Sequence, residues 1–348
     1  MSHEIRERDN LFTVRDPAWH GLGEVLPGYP TREEAQKIAH PWEPVTEPVY
    51  RKVPVIVHKK FNCSLDCAIP DHFEERHGYK EITESRLVAR SDDSQPLGVV
   101  SDTFTVVSNN DLWDIAEAIE GNDPSQVRYE TAGSLKNGRK VWVLIRLNAP
   151  LLVPGDPHGE TIPYYALQNS HDGSGSCRGQ SLMTRIVCDN TSQIADMEAQ
   201  ARGTEFVFRH TKSIADRIED AKQALAGWRA SVDAYQDFVT HLAETPVSTE
   251  QVDLFVERFI PEPPPHMASD RVMANVAEAR QAIHDILESV TCDGINRTAH
   301  GLVQAAIEYS EHHRRARSAE TRFQRAYLDR STIVADAVAL AQKVAVLS

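Results

Sequence analysis

Residues 129–147 read YETAGSL, KNGR, KVWVLIRL: two runs rich in β-branched and aromatic side chains around Lys136-Asn137-Gly138-Arg139. Such runs favour strands. Asn-Gly between two of them favours a two-residue hairpin turn, whose central residues both take positive φ. The stretch predicts a β-hairpin turning at Asn137-Gly138. Downstream, IPYYALQN (162–169) and SLMTRIVCDN (181–190) flank SHDGSGSCRG (170–179) and predict a second, longer hairpin. Upstream, VPVIVH (53–58), SRLVAR (85–90), LGVVS (97–101) and FTVVS (104–108) are short strand-like runs separated by polar, Pro or Gly punctuation. One segment breaks the β pattern. In NNDLWDIAEAIEG (109–121), Leu112, Ile115, Ala116 and Ile119 follow helical spacing and Gly121 closes the helix.

Residues 1–50 hold six prolines and read as a loop-rich segment packing on the core. Their one helical stretch is TREEAQKIA (31–39), with Thr31 as N-cap and Glu33 and Glu34 in the first turn. After 190 the chain turns helical. Asn190 or Thr191 can cap SQIADMEAQA, and residues 212–243 carry a heptad through Ile214, Ile218, Ala221, Leu225, Trp228, Val232, Tyr235, Val239 and Leu242. A second stripe runs through Val272, Val276, Ala279, Ile283, Ile286 and Val290. A Pro-rich link at 261–265 separates the two stripes, which suggests an antiparallel helical hairpin or a seam that serves another subunit. Further helices are expected near 298–316 and 332–346. The fold class is α+β: an antiparallel β-sheet domain with interleaved helices over 51–205, then a long-helix, heptad-bearing region over 206–348.

The composition is that of a globular chain: 348 residues, 25% charged and 41% hydrophobic. No apolar run approaches the ~20 residues of a membrane-spanning helix, so no membrane association is expected. MSHEIRERDN at the start has no apolar core, and the five cysteines are odd in number and widely spaced. Both features point to the cytoplasm and to free thiols. With 37 Lys+Arg against 51 Asp+Glu the net charge is −14, which suits a non-specific polyanion binder poorly. Any nucleic-acid contact must therefore be local. The densest basic cluster is Arg314, Arg315, Arg317, Arg322, Arg325 and Arg330, which also reads as a solvated helix face.

Five groups of residues could carry chemistry. Trp19-His20-Gly21-Leu22-Gly23 suits close approach of a ligand or of backbone, or a structural loop. His171-Asp172 could act as an acid/base pair, although Asp172-Gly173 equally fits turn chemistry. Arg185 interrupts an apolar strand and needs a partner, a wet face or a phosphate; Cys188, Asn190 and Thr191 follow it. Cys63 and Cys67 with His72 and His77, and Glu308 with His312, have spacings that zinc or another metal tolerates, but neither set completes a usual site, so no metal is expected. No phosphate-loop, dinucleotide, nucleophile-elbow or His-Glu-x-x-His motif is present, and no cofactor is expected.

AWHGLG (18–23), QNSHDGSGS (168–176), RIVCDNT (185–191) and HGLVQAAIEYSEHHR (300–314) together resemble the uncharacterised "phage/plasmid-like protein" family, found in phages, plasmids and their bacterial hosts. The resemblance spans about residues 10–345 and implies phage DNA metabolism or interference with host defence. The late motif departs from the family pattern at His300-Gly301, Gln304-Ala305 and Ile307-Glu308-Tyr309. Three functions follow as expectations. The first is a non-enzymatic oligomer that binds single-stranded DNA and assists recombination, annealing or replication. It would contact DNA through Arg185, Arg178, Lys52, Lys59, Lys60, Arg314, Arg315 and Arg317, with Trp142, Tyr164 and Tyr165 stacking on bases. The second is a nucleotide-directed enzyme using His171, Asp172 and Arg185. The third is a factor that binds a phage or host protein partner.

Overall fold

The computed structural model describes residues 10–14, 23–58, 73–120, 127–148, 150–156, 160–185, 190–192, 206–211, 216, 218–221, 228–314 and 332–346. The fold is mixed α+β. The hairpin of 129–147 is its centre, formed by β6 (Val127–Leu135) and β7 (Lys140–Leu147) with Leu135 opposite Lys140. The turn is not the expected two-residue one. All four of Lys136 to Arg139 lie outside the ladder, with φ of 59°, 62° and 92° at Lys136, Asn137 and Gly138. Gly138 answers a second demand, because a Cβ there would stand 2.6 Å from the Trp42 ring.

The second hairpin is β9 (Glu160–Ser170) and β10 (Cys177–Arg185), as read from the sequence. Around these four strands the sheet grows to nine. It is completed by β1 (Leu11–Thr13), β2 (Glu24–Val25), β8 (Leu151–Leu152), β11 (Asn190–Ser192) and β12 (Phe206–Phe208). The order is β11-β10-β9-β7-β6-β1-β2, with β8 on β9 and β12 on β10. All pairs are antiparallel except β1 with β2. The N-terminal segment thus supplies strands to the sheet rather than only packing on it.

A separate three-stranded sheet holds β3 (Pro44–His58), β4 (Phe73–Arg90) and β5 (Pro96–Ser101). Strands β3 and β4 are far longer than the short runs VPVIVH and SRLVAR suggested. FTVVS is not a strand: Phe104 stacks on His210 at 4.4 Å between centroids, and Thr105 exchanges hydrogen bonds with His210. The partners that would have made it a strand are replaced by one histidine.

Helix α1 (Arg32–Ala39) begins at Thr31, which forms a capping box with Glu34. Helix α2 (Asn109–Glu120) buries Leu112, Trp113, Ile115 and Ala116 on β7 and β9. Arg32 ties the two helices together through Asp114 and Glu117. The C-terminal part holds α3 (Trp228–Ala243), α4 (Thr249–Phe259), α5 (Asp270–Leu287), α6 (Ala299–Glu308) and α7 (Thr332–Ala345). The heptad residues Ile218, Ala221, Trp228, Val232, Tyr235, Val239 and Leu242 are all buried. The expected hairpin of the two heptad stripes is not formed: α3 and α5 each pack chiefly on α6, all ten residues of which are buried. Along α5 only Ile283 and Ile286 of the second stripe are buried, and Val290 is exposed. A short central helix solves the burial problem that a coiled coil would otherwise solve.

The sheet is buried on both faces. Val141, Val143, Ile145, Tyr165, Leu167 and Met183 join the helices in one large core, and Leu144, Ile162, Tyr164, Ala166 and Leu182 form a smaller cluster opposite. Trp228 bridges sheet and helices, donating to Ser181 Oγ at 2.9 Å and meeting Tyr165 edge-on. Among the described residues no helix is long and apolar enough to cross a membrane.

Candidate functional site

His171 lies at the end of β9, fully buried. Its Nε2 meets Asn109 Oδ1 at 3.0 Å, and Asn109 Nδ2 donates to the Trp42 carbonyl at 2.7 Å. With the amide oxygen accepting, Nε2 carries a proton. Burial, followed by the neighbouring His40 and His210, pushes its pKa down to about 3. Asp172 does not orient it. Its Oδ1 accepts from Ser170 Oγ at 2.6 Å and from the Ser174 amide at 2.9 Å, with Gly173 at φ 75°. Burial would raise the Asp172 carboxyl, but these hydrogen bonds outweigh it and hold the group below the ordinary range. The pair is therefore turn chemistry beside a closed polar contact. His171 is sealed from solvent, and the half-buried Asp172 bonds Ser170 and Ser174 rather than His171.

The same closed region holds His40. Its Nδ1 accepts from Trp113 Nε1 at 3.0 Å and its Nε2 donates to the Gly133 carbonyl at 2.8 Å. Burial lowers its pKa to about 4. Glu43 reaches across to the start of α2 and accepts from the amides of Asn109 and Asn110 at 2.7 and 3.1 Å. Arg90, 4% exposed, makes a two-point contact with Asp92 and lies 4.5 Å from the Trp42 ring centroid. The long-range bonds of His40, Glu43, Asn109 and His171 lock one element to another, while His171 Nδ1, Trp42 Nε1 and Asn169 Oδ1 are buried without a hydrogen-bond partner. The network is a structural clamp at the junction of α1, α2, the β6–β7 hairpin and the β9–β10 turn.

The exposed chemistry lies elsewhere, on β3 and β4. Beyond the third strand β5, which pairs only with residues 85–89, Val49–His58 and Phe73–Ile82 continue as a two-stranded ribbon of ten paired positions. A register shift at Pro48/Val49 marks its base. Strand alternation sorts its side chains into two faces. One carries the pairs Val49–Ile82, Arg51–Lys80, Val53–Gly78, Val55–Arg76 and Val57–Glu74. The other carries Tyr50–Glu81, Lys52–Tyr79, Pro54–His77 and Ile56–Glu75. The first face sets three cations on closely spaced rungs. The second bears Tyr50, Ile56 (73% exposed) and Tyr79 (75% exposed).

The other residues singled out in the sequence are scattered by comparison. Lys52 is exposed on the ribbon, whereas Arg178 is half-buried on β10 opposite Gln168 and Val207. Arg185 pairs along the backbone with Asn190, and Thr184 with Thr191. Strand β11, which carries Asn190 and Thr191, runs beside α6, so the RIVCDNT and HGLVQAAIE segments are neighbours. Trp142, Tyr164 and Tyr165 are at most 4% exposed and cannot stack on bases. Gly23, at φ 94°, packs its Cα on Leu11. Arg314 is exposed at the end of the π-turn Tyr309–His313. Trp19, His20, Gly21, Lys59, Lys60, Cys63, Cys67, His72, Cys188, Arg315, Arg317, Arg322, Arg325 and Arg330 lie outside the described residues. Among the described residues no three metal-ligating side chains gather.

The sequence model of the family "Domain of unknown function (DUF932)" matches residues 96–331, about two thirds of the chain. The chain belongs to that family. The matched DUF932 region runs from β5 to the residue before α7 and takes in both hairpins, His171 with Asn109, and most of the helices, whereas His40, Trp42, Glu43 and Arg90 of the clamp lie before it. The β3–β4 ribbon stands outside the DUF932 match, apart from its partner β5. No curated protein and no solved structure matches the chain. Arg51, Arg76, Lys80, Tyr50 and Tyr79 escape the sequence reading. The one signal that could have found them is the length of near-unbroken strand-compatible sequence at 44–58, before the Cys- and His-bearing stretch.

Proposed function

We propose that the chain is a non-enzymatic nucleic-acid-binding oligomer of a phage or other mobile element, and that it assists DNA recombination or replication. It makes its phosphate contacts with the cationic face of the β3–β4 ribbon. The observation that carries this reading is the placement of Arg51, Arg76 and Lys80 on one face of a ribbon that projects past its sheet. A two-stranded ribbon has the width that a DNA major groove admits. Three cations held at strand spacing outnumber the one acidic residue of that face, Glu74, and offer a local positive surface on a chain of net charge −14. The membership of an uncharacterised family and the mobile-element resemblance are compatible with this reading. The enzyme alternative loses its support with the burial of His171.

The test is fluorescence anisotropy of labelled single-stranded and duplex DNA over a salt series. Binding through three phosphate contacts gives a log–log salt slope of about −2 to −3. Arg51→Glu with Lys80→Glu should flatten that slope and weaken both substrates without regard to sequence. No binding at low salt, or an unaltered slope in the double variant, would sink the reading.

A further inference from the structure

We infer that Arg128, Arg146 and Tyr29 form a binding site for one phosphate group, apart from the β3–β4 ribbon and independent of the reading above.

Arg128 on β6 and Arg146 on β7 are direct partners across the two strands. Residues directly opposite each other share one face of a sheet, and like charges so placed destabilise it unless something neutralises them. Among the described residues one carboxylate comes within ion-pair reach of the pair: Glu130 Oε2 lies 3.9 Å from Arg146 Nη1. None reaches Arg128, so the pair keeps an excess of positive charge. Tyr29, in the loop between β2 and α1, completes the cluster. Its ring centre lies 5.7 Å from the Arg128 guanidinium carbon and 5.9 Å from that of Arg146. Its hydroxyl accepts from Arg146 Nη1, which leaves the phenolic proton to donate. Arg146 Nε is buried with no hydrogen-bond partner. Both arginines are half-buried and Tyr29 is 38% exposed, so the cluster is open enough to admit a ligand and dry enough to strengthen a charge-assisted bond.

The donors specify the ligand. Two guanidiniums and a phenol O–H offer hydrogen-bond donors beside a surplus positive charge. A phosphate group has enough oxygens to meet both planar forks and the phenol at once, whereas one carboxylate is used up by a single arginine. A small phosphomonoester and a nucleic-acid backbone share this chemistry.

The probe is inorganic phosphate against chloride at equal ionic strength, read as the thermal midpoint of the full chain. At ten times its dissociation constant, phosphate should raise the midpoint by about 2–4 °C. Arg128→Gln should abolish most of that rise, with a midpoint in chloride equal to the wild-type value or above it, because the like-charge contact is gone. Arg128→Lys keeps the charge without the fork and should keep part of the rise. Tyr29→Phe should weaken phosphate binding several-fold. Competition names the source: displacement of phosphate by a mononucleotide assigns the site to a small phosphomonoester, and displacement only by an oligonucleotide assigns it to a nucleic-acid backbone. No rise in the wild type, or an equal rise in Arg128→Gln, would overturn the inference. Loss of the rise in Arg51→Glu with Lys80→Glu would overturn it too, by placing the phosphate on the ribbon. An intact phosphate response without DNA binding would instead remove the nucleic-acid reading alone.

Discussion

At the scale of single residues, three buried histidines set a pH dependence. His40 and His171 are held neutral, with pKa values pushed from 6.5 to about 4 and about 3, and burial lowers His210 as well. A folded-state pKa below the unfolded value means that the unfolded chain takes up protons first on acidification. The stability these groups allow is complete above pH 6.5 and is lost as pH falls toward 4 and then 3. At about 1.4 kcal/mol for each tenfold difference in proton affinity, the loss reaches several kcal/mol. Urea midpoints at pH 7.5, 6 and 5 should fall progressively; a flat profile over that range would contradict the buried neutral assignment. Asp172-Gly173 was legible as a turn because Asx chemistry is local: the carboxylate bonds an amide two residues on. The fate of His171 was not legible. Its partner Asn109 is 62 residues away, and no local pattern announces it.

At the scale of elements, α1 and α2 could be read because each has one buried side and one wet side, which imprints a helical period on the sequence; the two hairpins, buried on both faces, could be read from β-branched and aromatic runs bounded by turn residues. The ribbon carries no such imprint. Both of its faces meet water, so its strands mix charge and apolar groups freely, as in EERHGYKEI at 74–82. Replacing Tyr50–Glu81 by Asn-Gly joins the paired residues Val49 and Ile82 through a two-residue turn. The shortened protein should keep its fold, with urea stability changed by less than about 1 kcal/mol. It should lose salt-dependent DNA binding. Global unfolding of this variant would mean that the ribbon supports the core.

At the scale of the whole molecule, one continuous core joins sheet and helices, and Trp228 is its bridge to β9 and β10. Heat should therefore produce a single cooperative transition, seen alike by far-ultraviolet circular dichroism and tryptophan fluorescence. Trp228→Ala should cost about 3–5 kcal/mol and lower that one transition as a unit. Two transitions, one for the sheet and one for 206–348, would show the halves to be separate. The heptad positions of 212–243 were legible as a buried stripe, and those described are buried. What covers them was not legible, since a 3.5-residue stripe states only that something apolar lies alongside. By itself, the sequence determined α1, α2 and the strands of the two hairpins, together with the Thr31 cap and the Asp172-Gly173 turn. These follow from the chemistry of neighbours along the chain. Only the tertiary structure decided that His171 is sealed, that α6 rather than a second heptad helix receives α3, and that the cations of β3 and β4 share a face. Each of those outcomes depends on contacts between residues tens of positions apart, where the energy lies in packing and register rather than in local preference.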